Sequence, residues 1–188
     1  AAYERRFSGP FRASHPAPAF ASWLSPWRAL VGACRDPRVL TLRNSRSGTL
    51  ELACDRGGLR IDLAVVPGAD GTIASLNLHG ATGLDPAPEL SRAGERALKL
   101  LARWNEREFR GLFTADADGE AIRRVLADAA LKYGRCRLGP PHLVGLRAAG
   151  FALECERGAP YLDVGNSEIE PAKLRWIELR EEHRGPCR

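Results

Sequence analysis

The sequence predicts two tandem α+β domains, each with helices packed on a curved antiparallel sheet of about four strands. Three observations carry that expectation. The chain repeats itself: "GACRD" at 32–36 returns as "GRCRL" at 134–138, and "LACDRGG" at 52–58 returns as "LECERGA" at 153–159. Apolar and polar residues alternate with period two late in each copy, the pattern of antiparallel strands with one buried face. A chain of 188 residues, 44% hydrophobic and 27% charged, is ordinary for folded domains of roughly 100 residues each.

The register of the repeat sets the boundaries. An offset of 102 lays "YERRFSGPF" (3–11) on "NEREFRGLF" (105–113), pairing Glu4 with Glu106, Phe7 with Phe109, Gly9 with Gly111 and Phe11 with Phe113. It also pairs Gly32 with Gly134, Cys34 with Cys136 and Arg35 with Arg137. After one small length change an offset of 101 pairs Leu52 with Leu153, Cys54 with Cys155, Arg56 with Arg157, Gly57 with Gly158 and Asp62 with Asp163. The period is too long for a solenoid and suits a small domain. Residues 1–83 and 84–188 are the two copies, joined at "TGLDPAPELS" (82–91), where Pro86 and Pro88 interrupt regular structure.

The second copy opens with a helix carrying Leu90, Ala93, Ala97, Leu98, Leu101 and Trp104 at helical spacing. No counterpart precedes "AAYERRF", so the first copy is read as N-terminally truncated, with its helix expected upstream. Next comes a helical segment in each copy, Pro-broken over about 16–31 and regular over 119–133. "TLELAC", "LRIDLAV" and "IASLNLH" then alternate as strands, and "CDRGG" makes a tight hairpin in which Gly57 takes positive φ.

The five cysteines include two repeated pairs at nearly the same interval, 34 to 54 and 136 to 155. No Cys-x-x-Cys spacing supports a metal site. Co-repetition of both members favours one disulfide per copy, Cys34–Cys54 and Cys136–Cys155, over four buried thiols. Disulfides place the protein in an oxidising compartment, periplasmic or extracellular. Cys187 is left over as an unpaired thiol.

Chemical signatures are sparse. The net charge of +5 is spread among acids, with lysine only at 99, 132 and 173, which weighs against a nucleic-acid partner. There is no phosphate loop, no dinucleotide fingerprint, no Gly-x-Ser-x-Gly and no Ser-x-x-Lys, so no cofactor or metal is expected. No apolar run approaches the ~18 residues of a membrane span. The four histidines, 15, 79, 142 and 183, do not repeat; His79 falls on Arg180. Asp62 and Asp163 are the catalytic candidates, as repeated mid-strand acids that burial would turn into bases. Alternation points both away from the apolar face, toward solvent or an arginine partner. Phe7, Phe11, Trp23, Trp27, Trp104, Phe109, Phe113 and Trp176 are candidates for lining a cavity, or for plain core.

The order of helix, Phe-x-Gly-x-Phe, second helix, Gly-x-Cys-Arg, Leu-x-Cys-x-Arg-Gly, Asp-bearing strand and final strand resembles the cone-shaped domains of the nuclear-transport-factor-2-like, or cystatin-like, superfamily. More narrowly it resembles non-catalytic domains appended to secreted bacterial serine hydrolases of the β-lactamase and penicillin-binding type. That resemblance implies an accessory or binding module of an exported bacterial protein. Its partner would be a catalytic domain of the same polypeptide, another protein, or a small apolar ligand held in the cone. The hydrolases' own activity does not carry over without their Ser-x-x-Lys. Two rivals stand beside it: a small cavity-type isomerase, dehydratase or hydrolase using a pocket Asp, and a nucleic-acid-binding protein.

Overall fold

The computed structural model describes residues 2–68 and 71–181; His183 and Cys187 lie outside the described residues. Three helices, α1 (Ala2–Arg6), α2 (Gly9–Ser14) and α3 (Ala17–Val31), lead into β1 (Cys34–Asn44), β2 (Ser47–Cys54), β3 (Gly58–Val65) and β4 (Ile73–Thr82). Helices α4 (Pro88–Ala102), α5 (Glu106–Leu112) and α6 (Gly119–Tyr133) lead into β5 (Cys136–Val144), β6 (Ala148–Cys155), β7 (Tyr161–Asn166) and β8 (Leu174–Arg180).

The expectation of two domains with separate four-stranded sheets is corrected here. The strands follow one another in chain order, β1 to β8, in a single open eight-stranded antiparallel sheet. Alternation along a strand tells which face is buried, but not whether its edge is left free or paired. Contacts nevertheless group into two compact units, Ala1–Leu84 and Asp85–Arg188.

The repeated cysteine motif is a latch at a helix end. Gly32 and Gly134 follow the last residues of α3 and α6 with φ of 82° and 74°, and their N–H groups donate to the carbonyls of Arg28 and Ala130. Only glycine takes this backbone cheaply, and a Cβ on Gly32 would fall 2.7 Å from the Asp55 carboxylate. Two residues later each chain enters a strand at a cysteine bonded to its directly opposed partner, Cys34 to Cys54 and Cys136 to Cys155. The residues after the second cysteine close the latch. Asp55 and Glu156 donate backbone N–H to the carbonyls of Ala33 and Arg135, and Arg56 and Arg157 to those of Val31 and Tyr133. The guanidinium groups of Arg56 and Arg157 reach further, donating to Ala29 O and Leu131 O. The exposed carbonyls of both helix ends thus gain cationic donors.

The length change within the repeat is Asp36. It bulges from β1 at φ 50° between Arg35 and Pro37, which sit opposite Ala53 and Leu52, whereas Arg137 and Leu138 run on without a gap. Near the N-terminus the register read from sequence is corrected. Phe7 bridges Ile73 and Ser8 N–H donates to Ile73 O at 2.9 Å; Phe113 bridges Leu174 and Thr114 N–H donates to Leu174 O at 3.0 Å. Phe7 therefore occupies the place of Phe113, not of Phe109, an offset of 106. The first unit then inserts α2 before α3, where the second has only the short turn 115–118.

The cores differ in size. In the second unit α4 lays Leu90, Ala93, Ala97 and Leu101 on the sheet, with Gly94 buried beside them, where they join Phe151, Leu153, Leu162 and Val164 in a core of sixteen buried residues among those described. Arg96 of α4 donates to Glu108 of α5 at 2.6 Å, a bond that holds the Glu108 carboxyl below its ordinary range. The first unit, without that helix, gathers a smaller cluster among the described residues, Trp27, Val31, Leu59, Ile61 and Ala81, beside the buried Phe11 and Phe20.

A small core leans harder on its cross-link. A loop of about 20 residues closed by a disulfide is worth on the order of 3 kcal/mol. The double replacement of Cys34 and Cys54 by serine is expected to release amide protons of 24–65 first, leaving the second unit protected. The matching change at Cys136 and Cys155 should leave most of its amides protected by α4. Hydrogen exchange read by mass spectrometry checks this, and equal loss in both units would refute it.

Candidate functional site

The second unit contains a cavity of about 680 Å³ beside the α5–α6 turn. Its placement follows from local sequence. Asn105 caps α5 by accepting from Glu108 N–H at 3.0 Å, and Asp118 caps α6 by accepting from Ala121 N–H at 3.0 Å. The chain between them is tied down where Phe113 bridges Leu174, which sets Phe113 and Thr114 as a buried floor. Trp104 and Phe109 form the wall, their rings 5.1 Å apart, and Phe109 stacks on Phe113 at 4.9 Å. Gly119 keeps α6 close to that wall, since a Cβ there would lie 3.0 Å from the Phe109 ring.

The rim is charged but largely self-compensated. Glu106 and Arg110 pair at 2.9 Å, Lys173 pairs with Glu170 at 3.1 Å, and Asp118 is engaged by its helix. Glu120 is the remaining charge among the lining residues. Such a site offers an aromatic interior with a polar mouth, and neither Asp62 nor Asp163 is among its lining residues.

The first unit treats the same place differently. Phe7, the counterpart of Phe113, is covered by Phe11 of α2, stacked at 4.7 Å, and Phe20 meets Phe11 edge-on at 5.6 Å. His15 also stacks on Phe11, at 4.6 Å. Phe11 and Phe20 are buried. One copy fills with its own side chain the space that the other keeps open.

Of the aromatic residues singled out in the sequence, Trp104, Phe109 and Phe113 meet at this cavity. Phe7 and Phe11 join the aromatic cluster of the first unit, and Trp23 lies on its margin, 5.7 Å from Phe20 and exposed. Trp27, on α3, is buried. Trp176 stands apart, exposed and laid against Gly165 across the strands, where a Cβ would collide with its indole. Sequence reasoning missed Phe20, Thr114, Ala117 and Lys173; the capping residue Asp118 ahead of an amphipathic run was the available signal.

Asp62 and Asp163 sit at equivalent points on the sheet face away from the helices. Asp62 accepts from Thr49 Oγ1 at 2.6 Å and Arg43 at 2.8 Å, with His79 Nε2 at 3.1 Å. Burial pushes this carboxyl up, but the bonds from Thr49, Arg43 and His79, together with the charge of His79, outweigh it and bring it to about 2. Asp163 is buried and paired with Arg180, whose own pKa that bond raises. Arg180 is the counterpart of His79, so the cation facing the acid repeats although its identity does not. His142 lies close by, its ring 4.2 Å from Tyr161; a Cβ on Gly150 would meet both His142 and the Asp163 carboxylate.

Among the described residues no cluster of His, Cys, Asp and Glu suits a metal ion, and no helix is long and apolar enough to cross a membrane. Two disulfides fit an oxidising compartment. No protein-family model, curated protein or solved structure matches the chain.

Asp62 makes stability pH-dependent in a definite direction. Its folded pKa lies below its unfolded value, so its contribution is full above about pH 4 and is lost as pH falls through about 2. A shift of this size corresponds to roughly 2 kcal/mol. Asp62→Asn is therefore expected to lower unfolding stability by about that amount at pH 7, with the two proteins converging near pH 2 in urea melts. A gap that stays constant with pH would show the carboxylate's charge to be irrelevant.

Proposed function

We propose that the chain is a non-catalytic binding module of an exported protein, periplasmic or extracellular, and that its second unit holds a small, mainly apolar ligand in the cavity over Phe113. One observation carries this reading: the place that Phe11 fills in the first unit is an open cavity of about 680 Å³ in the second. A protein optimised only for packing fills such a space, because the wall residues forfeit dispersion contacts. The volume is that of a typical small-molecule site, and the wall is aromatic with a few polar groups at the mouth. The repeated acids support a non-catalytic role, since both are engaged by cations on the opposite face of the sheet. The resemblance to accessory domains supports it as well, and the two disulfides support export.

Titration with the neutral fluorophore N-phenyl-1-naphthylamine tests the site. The native chain is expected to bind one equivalent saturably. Ala117→Trp, which plugs the cavity from the turn before α6, should weaken binding by at least about tenfold, roughly 1.4 kcal/mol, without lowering the unfolding midpoint. Unchanged affinity in this variant, with its fold intact, would sink the proposal.

A further inference from the structure

The first unit carries a second concavity of about 370 Å³ on its apolar side, between α3 and the sheet, lined by Leu24, Trp27, Arg28, Val31, Leu52 and Leu59 among others. The repeat identifies what kind of surface this is. The counterparts of Leu24, Trp27, Val31, Cys34 and Leu52 in the second unit are Leu126, Ala129, Tyr133, Cys136 and Leu153. Those residues belong to the core that α4 covers, with Leu90, Ala93, Ala97, Leu100 and Leu101 packed among them. The helix comes close because its contact stripe is small. A Cβ on Gly94 would lie 3.2 Å from the Phe151 ring and 3.5 Å from Leu138, whose counterparts are Leu50 and Pro37. The groove is thus a seat of the kind that α4 fills one repeat later, left uncovered by the described residues of the first unit.

We infer that this groove binds an amphipathic helix of a partner polypeptide, with alanine or glycine along its contact stripe and carboxylates on one flank. Two differences between the copies set that chemistry. Trp27 stands where the second unit has Ala129, so the incoming helix must be slim at its centre. Arg28 stands where the second unit has Ala130, and its guanidinium has no ion-pair partner among the described residues. A cation at the edge of an apolar groove favours an acidic flank and disfavours a basic one. A second copy of this chain cannot lend its own α4 without stripping its second unit, where Leu90, Ala97 and Leu100 are all but fully buried.

The probe is a capped synthetic peptide of residues 88–103 carrying Arg92→Glu, Arg96→Glu and Lys99→Glu, which keeps the apolar stripe of α4 and makes its flank acidic, added to the intact chain. Hydrogen exchange is expected to slow over 24–34 and 50–61 in a saturable way. Arg28→Glu, an exposed change that leaves the fold intact, should weaken binding by about tenfold, and Leu24→Asp by at least as much. Ala117→Trp should leave it unaltered, because the groove and the cavity over Phe113 are different sites. Three results would overturn the inference: no protection at millimolar peptide, protection confined to the second unit, or a chain that sediments as a dimer and is split by Leu24→Asp. The last would assign the groove to a second copy.

Discussion

Both units depend on the latch that holds a helix end to the edge of a hairpin. A helix that stops against a sheet leaves carbonyls without partners and a chain that must turn sharply into a strand. Here glycine makes the turn, the cystine ties the new strand to its neighbour, and the arginine after the hairpin cysteine caps the carbonyls. Each part needs the others. Without the glycine the strand cannot begin beside Asp55 or Glu156, and without the cross-link the arginine has no fixed position from which to reach the helix. The stripes of α3 and α6 lie over the sheet because this end is pinned.

That dependence explains what was legible in the sequence. Latch residues are consumed locally, so Gly32, Cys34, Cys54 and Arg56 return with their spacing as Gly134, Cys136, Cys155 and Arg157. Helices α4 and α6 were equally visible, through apolar residues at helical spacing. The N-terminal register was not. Tyr3, Phe7 and Phe11 recur at intervals of four, as do Phe109 and Phe113, and one turn of helix separates each from the next. Alignments that differ by one turn match aromatic to aromatic almost equally well, and only the hydrogen bonds to Ile73 and Leu174 decide between them.

The two copies divide the available surfaces in opposite ways. The first packs Phe11 over Phe7 and leaves the seat beside α3 open; the second covers that seat with α4 and keeps a cavity over Phe113. Residues shared by the copies maintain the frame, and those that differ create the concavities. A search restricted to repeated polar residues is therefore drawn to Asp62 and Asp163, which are framework groups of the outer sheet face.

The state of Asp62 carries that distinction into chemistry. A general base is effective when its pKa lies near the working pH, so that it is ionised yet still takes up a proton readily. Asp62 is held at about 2 by three donors, which places it several pH units from that optimum in any neutral compartment. Taking a substrate proton would mean breaking the bonds from Thr49 and Arg43 that stabilise the carboxylate. The same bonds make it a good strut: Thr49 on β2, Arg43 on β1 and His79 on β4 all converge on one oxygen pair of β3, tying four strands across the face opposite the helices. In a unit whose buried cluster against the sheet is small, a polar clamp spanning the whole width of its strands supplies order that packing alone does not.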